Sequence, residues 1–572
     1  MPAQREKFVE DLLRRMTLEE KVGGCITFEF CGTRIDSHAY DKIVRHQCAG
    51  LRITPHIYTE EPYGTRLLTS GDAVQRTSPY AGPREYANIL NGLQRIALDR
   101  RCGIPLHISS DQEGDYSQDY ARGGVHLFPS QMGLTATSDD ELIYNAYRAV
   151  ARQQRAVGIR MLHTPCLDVN VEPDNPEICT RSFSDDPETV ARMGKLLARA
   201  FRDEGLIATG KHFPGRGNSK VDVHFAADVF PGDRRELEEV HLAPYRALID
   251  AGLPAVMTAH TIYPALDADN WPASVSRRIT TDLLREEMGF AGVITTDALG
   301  MKGVIDRFSC YGEAAAHAIA AGADLVLAKC DASKRGEVFD WILKFAREGR
   351  IPADELDMHN RRVLGLKYDY GLFDRPLVDA VGALHPVRDP AIAHLSAEVA
   401  RRGCLILRDD AHLLPLSPDG PVLVTQQRCD LYQNKANDVW YHANMLQEFV
   451  RNHAANVRDY ETELDVTDDD VRAVLALAEK VEVVVVLCAF WRSLPTVAEL
   501  VRKLLAAGRK VVVVSNTPYP VSIPAEAPTV LVTFSAMPRS LEHAAAALYG
   551  KAECGGTWPL KRYPMPASGA SG

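Results

Sequence analysis

The sequence predicts an α/β protein, a (β/α)8-like TIM barrel followed by an α/β sandwich domain. Three observations carry this. From about Ala49 to Ala328 short apolar runs recur, each followed by a segment of helical periodicity. Repeated strand and helix implies a parallel sheet, and this many units in one stretch favours a closed barrel. The polar residues of the runs gather at their C-terminal ends, and a second series of apolar runs begins beyond a proline-bearing break.

In order, the barrel runs are AGLRI, IPLHISS, MLHTPCLDV, LIATGKH, PAVMTAH, GVITTD and ADLVLA. AGLRI reads as the first. Asp111 follows HISS, Asp168 follows PCL, Lys211 and His212 follow IATG, His260 follows MTA, and Asp297 follows VITT. In a barrel that edge is the active-site face, so separate units deliver their polar chemistry to one place. The barrel domain is expected over 1–375. A linker without periodicity, GLFDRPLVDAVGALHPVRDP, leads through 376–395. GCLILRDD, GPVLVTQQ, VEVVVVLCAF, KVVVVSNT and PTVLVTFS then read as buried strands of a sandwich over 396–560. The small, polar tail 561–572 is expected to be disordered.

Composition narrows the functions. A chain of 572 residues is too long for one core, and 46% hydrophobic with 25% charged residues is the balance of a soluble globular protein. A net charge of -11 argues against a nucleic-acid partner. The N-terminus, MPAQREKFVEDLLRRMTLEEKVGG, is charged throughout, which speaks against a signal peptide. No run approaches the roughly 20 apolar residues of a spanning helix. The twelve cysteines are scattered without a CxxC pair, suggesting neither a zinc site nor a disulfide framework. They read as reduced thiols in a cytoplasmic protein, a monomer or homodimer that needs no cofactor and no metal.

The densest stretch is KHFPGRGNSKVDVH, residues 211 to 224. It is not a phosphate loop, because Gly215 and Gly217 stand too close together for the Walker pattern. DVNVEPDNPEI, from Asp168, resembles a calcium loop but has Pro173 where the sharp turn needs glycine. A metal held by His212 and His224 lacks further ligands at suitable spacing. Asp222 and His224 remain. In an extended segment residues two apart project to one side, so the carboxylate can fix the tautomer of the ring and leave its other nitrogen to move a proton. The alternative is an ordinary surface loop.

KHFPGRGNSKVDVHF, SSDQEGD, DVNVEPDNPEICTRSFSDDP, VMTAHTIYPALD and GFAGVITTDALGM together resemble glycoside hydrolase family 3. The similarity is greatest to its N-acetyl-β-glucosaminidase branch, which carries the Asp-x-His loop. It runs from about Met16 to Tyr549 and takes in ALYGKAECGGTWPL. The resemblance implies a barrel with a following sandwich, and a small saccharide as substrate. It makes Asp297 the nucleophile of a retaining double displacement, with His224, supported by Asp222, as acid/base. A histidine, with an ordinary pKa of about 6.5, suits proton transfer near neutral pH. Asp111, Arg181, Lys211 and His212 would bind the hydroxyls of the non-reducing sugar, and Asp168, Met257, His260 and Arg216 would complete the substrate pocket. For Arg181 the alternative is an ion pair with Asp185 or Asp186.

This chain departs from the family's pattern in Arg216 and Asn218 for His and Asp, in Gly114-Asp115 for Gly-Gly, and in Val223 for Ser or Thr. These touch substrate detail rather than reaction class. Three further functions stay open. One is a phosphorylase with phosphate as acceptor, where Arg216 adds an anion contact; another is a sugar-binding protein without catalysis; the third is a β-glucosidase. The segment 54–83, with three tyrosines, is expected to form the leaving-group side of the pocket, the alternative being a surface insertion or a dimer contact.

Overall fold

The computed structural model describes residues 2–54, 81–121, 123–223, 226–427, 445–490 and 496–563. Strands β1 (Ile26–Cys31), β2 (Gly50–Thr54) and β3 (His107–Ser110) open a barrel. A small hairpin, β4 (Gln112–Gly114) and β5 (Ser117–Gln118), sits on its rim. The barrel continues through β6 (Met161–Leu162), β7 (Ile207–Phe213), β8 (Ala255–Thr258), β9 (Val293–Ala298) and β10 (Leu325–Ala328). The eight barrel strands close in the order β1-β10-β9-β8-β7-β6-β3-β2, and all their pairings are parallel.

The barrel therefore starts one strand before AGLRI, which is its second strand and not its first. ITFEFC hides as a strand because Glu29 interrupts its apolar run, and the structure shows why that charge is tolerated. Glu29 is buried, where Thr54 donates to its Oε1 at 3.0 Å and Arg52 approaches it at 3.6 Å. MLHTPCLDV gives a strand of only two residues, since Pro165 offers no N–H to a ladder; beyond it only Cys166 pairs again, bridging to Lys211.

The barrel interior is packed in layers. At the N-terminal end Met161, Ile207, Ala255, Val293 and Leu325, one from each of β6 to β10, meet Val363 and Leu366 of the helix Ala353–Asp369. Nearer the C-terminal end Met257, Ala298 and Leu327 form a second apolar group. Helices such as Asp140–Val157 and Pro187–Asp203 cover the outside, each capped by an aspartate, Asp139 and Asp186, that accepts from first-turn N–H groups.

The second unit is a six-stranded sheet of β11 (Leu405–Asp409), β12 (Val422–Gln427), β13 (Val457–Thr462), β14 (Val483–Cys488), β15 (Val511–Ser515) and β16 (Thr529–Val532), in the order β11-β16-β15-β14-β12-β13. β11 pairs antiparallel at one edge. The unbroken valine runs of β14 and β15 follow from burial on both faces: Val484, Val486, Val511 and Val513 enter one core, and Val485, Val512 and Val514 the other. At the opposite edge β13, VRDYET, is mostly half-exposed and polar, and sequence patterning missed it.

The helix Pro390–Gly403, capped by Asp389, begins inside the expected linker 376–395. The expected disordered tail 561–572 is anchored at its start, because the N–H groups of Lys561, Arg562 and Tyr563 donate to Asp185 at 2.7, 2.8 and 2.6 Å. Among the described residues no helix is long and apolar enough to cross a membrane.

Candidate active site

Parallel strands put the residues that follow them on one rim. Asp111, one residue beyond β3, is a hub there. Its carboxylate takes Arg52 Nη2 at 2.5 Å and Lys211 Nζ at 2.8 Å. Lys211 also reaches Glu113 Oε1 at 2.6 Å. Glu113 is held from its far side by Arg181, whose Nε and Nη2 donate at 2.8 and 3.2 Å. Arg181 Nη1 reaches Glu177 at 3.3 Å, and the other oxygen of Glu177 takes Arg216. Alternating charges thus run as one chain from β2 to the loop after β7.

Solvent reaches this chain unevenly. The side chains of Lys211, Glu113 and Glu177 are 3% exposed or less, whereas Asp111 keeps 23% and Asp297 keeps 14%. Asp111 in the chain and Asp297 beside it are thus the carboxylates that solvent reaches.

Asp168 orders the next layer. Its Oδ2 accepts from His212 Nδ1 at 2.7 Å, from the His212 main chain at 3.2 Å and from the Cys166 thiol at 3.1 Å. Its Oδ1 accepts from the Arg216 main chain at 2.8 Å. Nδ1 of His212 is therefore the donor, and Nε2 accepts from Arg181 at 3.4 Å. Nε2 lies 3.8 Å from Asp297 Oδ2. Lys211 and His212 are neighbours in a strand, yet both reach charged partners, and the β7–β8 ladder slips register between Lys211 and Phe213.

Asp297 ends β9 with its Oδ1 accepting from Ala298 N at 2.7 Å. His260 secures that corner. Its Nε2 donates to the Ala298 carbonyl at 3.0 Å, and its Nδ1 accepts from Ser274 at 2.8 Å.

Ionisation follows from this chain. Burial alone raises a carboxylate, but Lys211 and Arg52 outweigh it at Asp111 and hold that group well below the usual range. At Glu113 burial is outweighed by Arg181 and Lys211, and at Asp168 by His212 and Arg216; both are held down at about 2. Burial works against Lys211 too, and Asp111 and Glu113 overcome it and hold the ammonium above its ordinary value.

Of the residues predicted from sequence, Asp111, Arg181, Lys211, His212 and Asp297 come together. Arg181 pairs with Glu113 and Glu177, not with Asp185 or Asp186. Asp168 is fully buried with both oxygens occupied by protein groups, so it orients His212 rather than meeting a ligand. Arg216 is 1% exposed and closed in on Glu177, behind the pocket wall, where it adds no open anion contact. His260 holds main chain, and Met257 packs beneath Ala298. Val223 has a reason to be apolar: it is fully buried against Met257, Ala298, Met301 and Leu327, so the loop after β7 dips into the barrel mouth beside the Asp297 corner. Asp222 is buried and near enough to Arg216 to strengthen its charge. His224 lies outside the described residues, as do residues 55–80 of the segment 54–83.

Arg52, Glu113, Glu177 and Lys329 were missed. Arg52 is a charge inside the apolar run AGLRI, Glu113 stands two residues from Asp111, and Glu177 stands four before Arg181, a spacing that brings side chains together on a turn. Lys329 follows β10, where burial, and then the Arg52 charge, press its ammonium below the ordinary value.

These features define a (β/α)8-barrel protein with a cluster of charged residues at its C-terminal rim. The chain belongs to glycosyl hydrolase family 3: the profile described as Glycosyl hydrolase family 3 N terminal domain matches residues 69–366. A beta-N-acetylglucosaminidase/beta-glucosidase of Cellulomonas fimi is 32% identical over 373 residues, 63% of this chain and 64% of that protein. The chain thus spans less than two thirds of that relative's length. A beta-hexosaminidase of Chromobacterium violaceum is 36% identical over 274 residues, 46% of this chain and 75% of the relative. Among solved structures, a family 3 beta-N-acetylglucosaminidase from Paenibacillus sp. strain FPU-7 is similar with a TM-score of 0.81 at 28% identity, covering 96% of this chain and 99% of that one.

Proposed function

We propose that the chain is a retaining exo-β-N-acetylglucosaminidase that removes terminal β-linked N-acetylhexosamine from small glycosides. The observation that carries this reading is the pair of pocket-facing carboxylates. Asp297 ends its strand beside His212 and opens to the pocket, as a nucleophile needs; Asp111 is gripped by Lys211 and Arg52, as a hydroxyl acceptor needs.

In this reading Asp297 attacks the anomeric carbon and the bond to the leaving oxygen breaks as that oxygen gains a proton. A glycosyl-enzyme results, and water resolves it with retention. Asp111, kept ionised by its two cations, accepts from sugar hydroxyls, while Lys211 and Arg181 donate from the opposite edge. Their charges are fixed before substrate arrives, so they strengthen toward an oxocarbenium-like state without reorganising. His224 moves the proton in both steps and Asp222 orients its ring. The apolar seating of Val223 supports this, because it draws the loop toward Asp297. The described cysteines are not joined in disulfides, which supports the cytoplasmic location included in the proposal.

The test is turnover of aryl β-glycosides that differ only at the 2-substituent, with and without inorganic phosphate. The N-acetylglucosaminide is expected to react fastest, with no phosphate effect. Phosphate-dependent release of a sugar 1-phosphate would make the protein a phosphorylase, preference for the glucoside would make it a β-glucosidase, and no turnover of any glycoside would leave a binding protein.

A further inference from the structure

We propose that Cys404, His543 and Cys554 form a zinc(II) site that fastens the C-terminal segment to the start of the second sheet. The three come from separate places. Cys404 joins the helix Pro390–Gly403 to β11, His543 lies on the helix Pro538–Leu548, and Cys554 lies beyond that helix. Folding brings the two sulfurs to 3.3 Å across 150 residues of sequence. One ligand atom from each of the three side chains lies within 4.8 Å of the others.

The donor set and its surroundings suit the ion. Two thiolates and an imidazole are soft and borderline ligands, which favour zinc over calcium or magnesium. His543 Nε2 lies 3.1 Å from the Glu553 carbonyl. A carbonyl oxygen only accepts, so Nε2 carries the hydrogen and Nδ1 keeps its lone pair. A metal-bound histidine is commonly fixed through its second nitrogen in this way. With Zn–S bonds of about 2.3 Å, two sulfurs on a tetrahedral ion stand about 3.8 Å apart, so the pair opens by about half an ångström on binding. Cys404 is buried while His543 and Cys554 are partly exposed, which leaves a path for the ion and one position for water. Binding releases the two thiol protons to solvent.

The consequence lies in the chain beyond Cys554. Gly556 N donates to the Cys404 carbonyl at 2.8 Å and Thr557 N to Ala136 of the barrel domain at 2.8 Å. Ser184 then donates to the Pro559 carbonyl at 2.7 Å, and Asp185 takes the main-chain N–H groups of Lys561, Arg562 and Tyr563. An ion joining Cys554 to Cys404 would fix the origin of the strap that binds the second unit back onto the barrel.

The experiment uses the full chain, reduced and stripped with a chelator, titrated with cobalt(II) as a spectroscopic probe and then with zinc(II). One cobalt per chain is expected, with thiolate charge-transfer absorption and tetrahedral visible bands that zinc abolishes. Cys554→Ser should lose about tenfold or more in affinity and most of the charge-transfer intensity; His543→Gln should weaken binding but keep the thiolate band. Zinc at equal concentration should raise Tm more in the unaltered protein than in either variant. Absence of a stoichiometric cobalt band in the reduced, folded protein, or the same band and the same Tm response in Cys554→Ser, would overturn the site. Cys554 and His543 are the chosen positions because both are partly exposed and tolerate polar replacement; none of these readouts depends on sugar chemistry.

Discussion

His212 Nε2 stands 3.8 Å from Asp297 Oδ2 while its Nδ1 is tied to Asp168 at 2.7 Å. The ring is thus aimed by a buried carboxylate at an open one. At 3.8 Å the separation exceeds a hydrogen bond, so the ring lies beside the Asp297 oxygen without bonding to it. Replacing Asp297 with Ala or Asn should leave the fold intact and cut turnover of an aryl glycoside by several orders of magnitude, because the covalent route disappears. Circular dichroism and steady-state rates check both halves. Retention of more than roughly a tenth of the activity would send the search to another nucleophile.

How much of this could be read in the sequence depends on where each residue's partner lies. Asp111, Lys211, His212 and Asp297 were legible because each ends a strand, and strand ends are visible as apolar runs. Glu113 and Glu177 were in plain view, one two residues from Asp111 and the other four before Arg181, but such neighbours in sequence resemble any solvated charges until Lys211 closes the chain from another strand. β14 and β15 showed themselves through continuous valine; β1 and β13 did not, one because Glu29 needs Arg52 from the next strand, the other because an edge strand has a wet face. Asp168 and Arg216 were visible as polar residues of the right motifs. Their position behind the pocket was not, since burial is a property of the packed barrel. Cys404 and Cys554 stood too far apart in sequence to suggest a pair.

The acid/base assignment predicts a split between two steps. With a leaving group that needs no protonation, His224→Ala should slow deglycosylation more than glycosylation, so that a burst of released aglycone becomes pronounced. Asp222→Asn should slow both by misorienting the ring. Equal losses in both steps of His224→Ala, or none in Asp222→Asn, would remove the dyad.

Val223 seats the same loop. Val223→Asp would place an unpaired charge among Met257, Ala298, Met301 and Leu327, where nothing compensates it. A fall of about a hundredfold or more in kcat/KM is expected, with Val223→Ile close to the unaltered protein. Near-normal kinetics of Val223→Asp would mean that the loop is not held by this contact.

Asp115 predicts a pH effect on the seam between the two units. It accepts from Asn516 and from Ala536 N, both at 2.8 Å, and burial raises its pKa to about 6. Its folded-state value thus lies above the ordinary one, so the stability it contributes is fully present below about pH 4 and is lost as pH rises through about 6. The difference is on the order of 3 kcal/mol. The lowered pKa values of Asp111, Glu113 and Asp168 act with opposite sign and only below about pH 4 to 5. Between pH 5 and 7, Tm of the unaltered protein should therefore fall relative to Asp115→Asn. Parallel Tm profiles for the two proteins across that range would show that the folded protein does not raise the pKa of Asp115.

Glu113 gives the sharpest test of the charge chain, because it is buried at the middle of the chain and two cations converge on it. Lys211 lies at 2.6 Å on one oxygen, Arg181 binds both oxygens from the other side, and the side chain is 1% exposed. Glu113→Gln keeps the shape but removes the charge, leaving an ammonium and a guanidinium buried with less compensation. Breaking such a buried pair costs about 3–5 kcal/mol when one partner goes, so a drop of several degrees in Tm is expected. The kinetic effect should fall on binding and rate together. Lys211 would lean further onto Asp111 and Arg181 onto Glu177, which draws both donors away from the pocket and should lower kcat/KM by about ten- to a hundredfold. The double variant Glu113→Gln with Lys211→Met removes one charge of each sign and should recover part of the lost Tm without recovering activity. If the double variant is no more stable than Glu113→Gln alone, the two side chains are not coupled as their 2.6 Å contact requires.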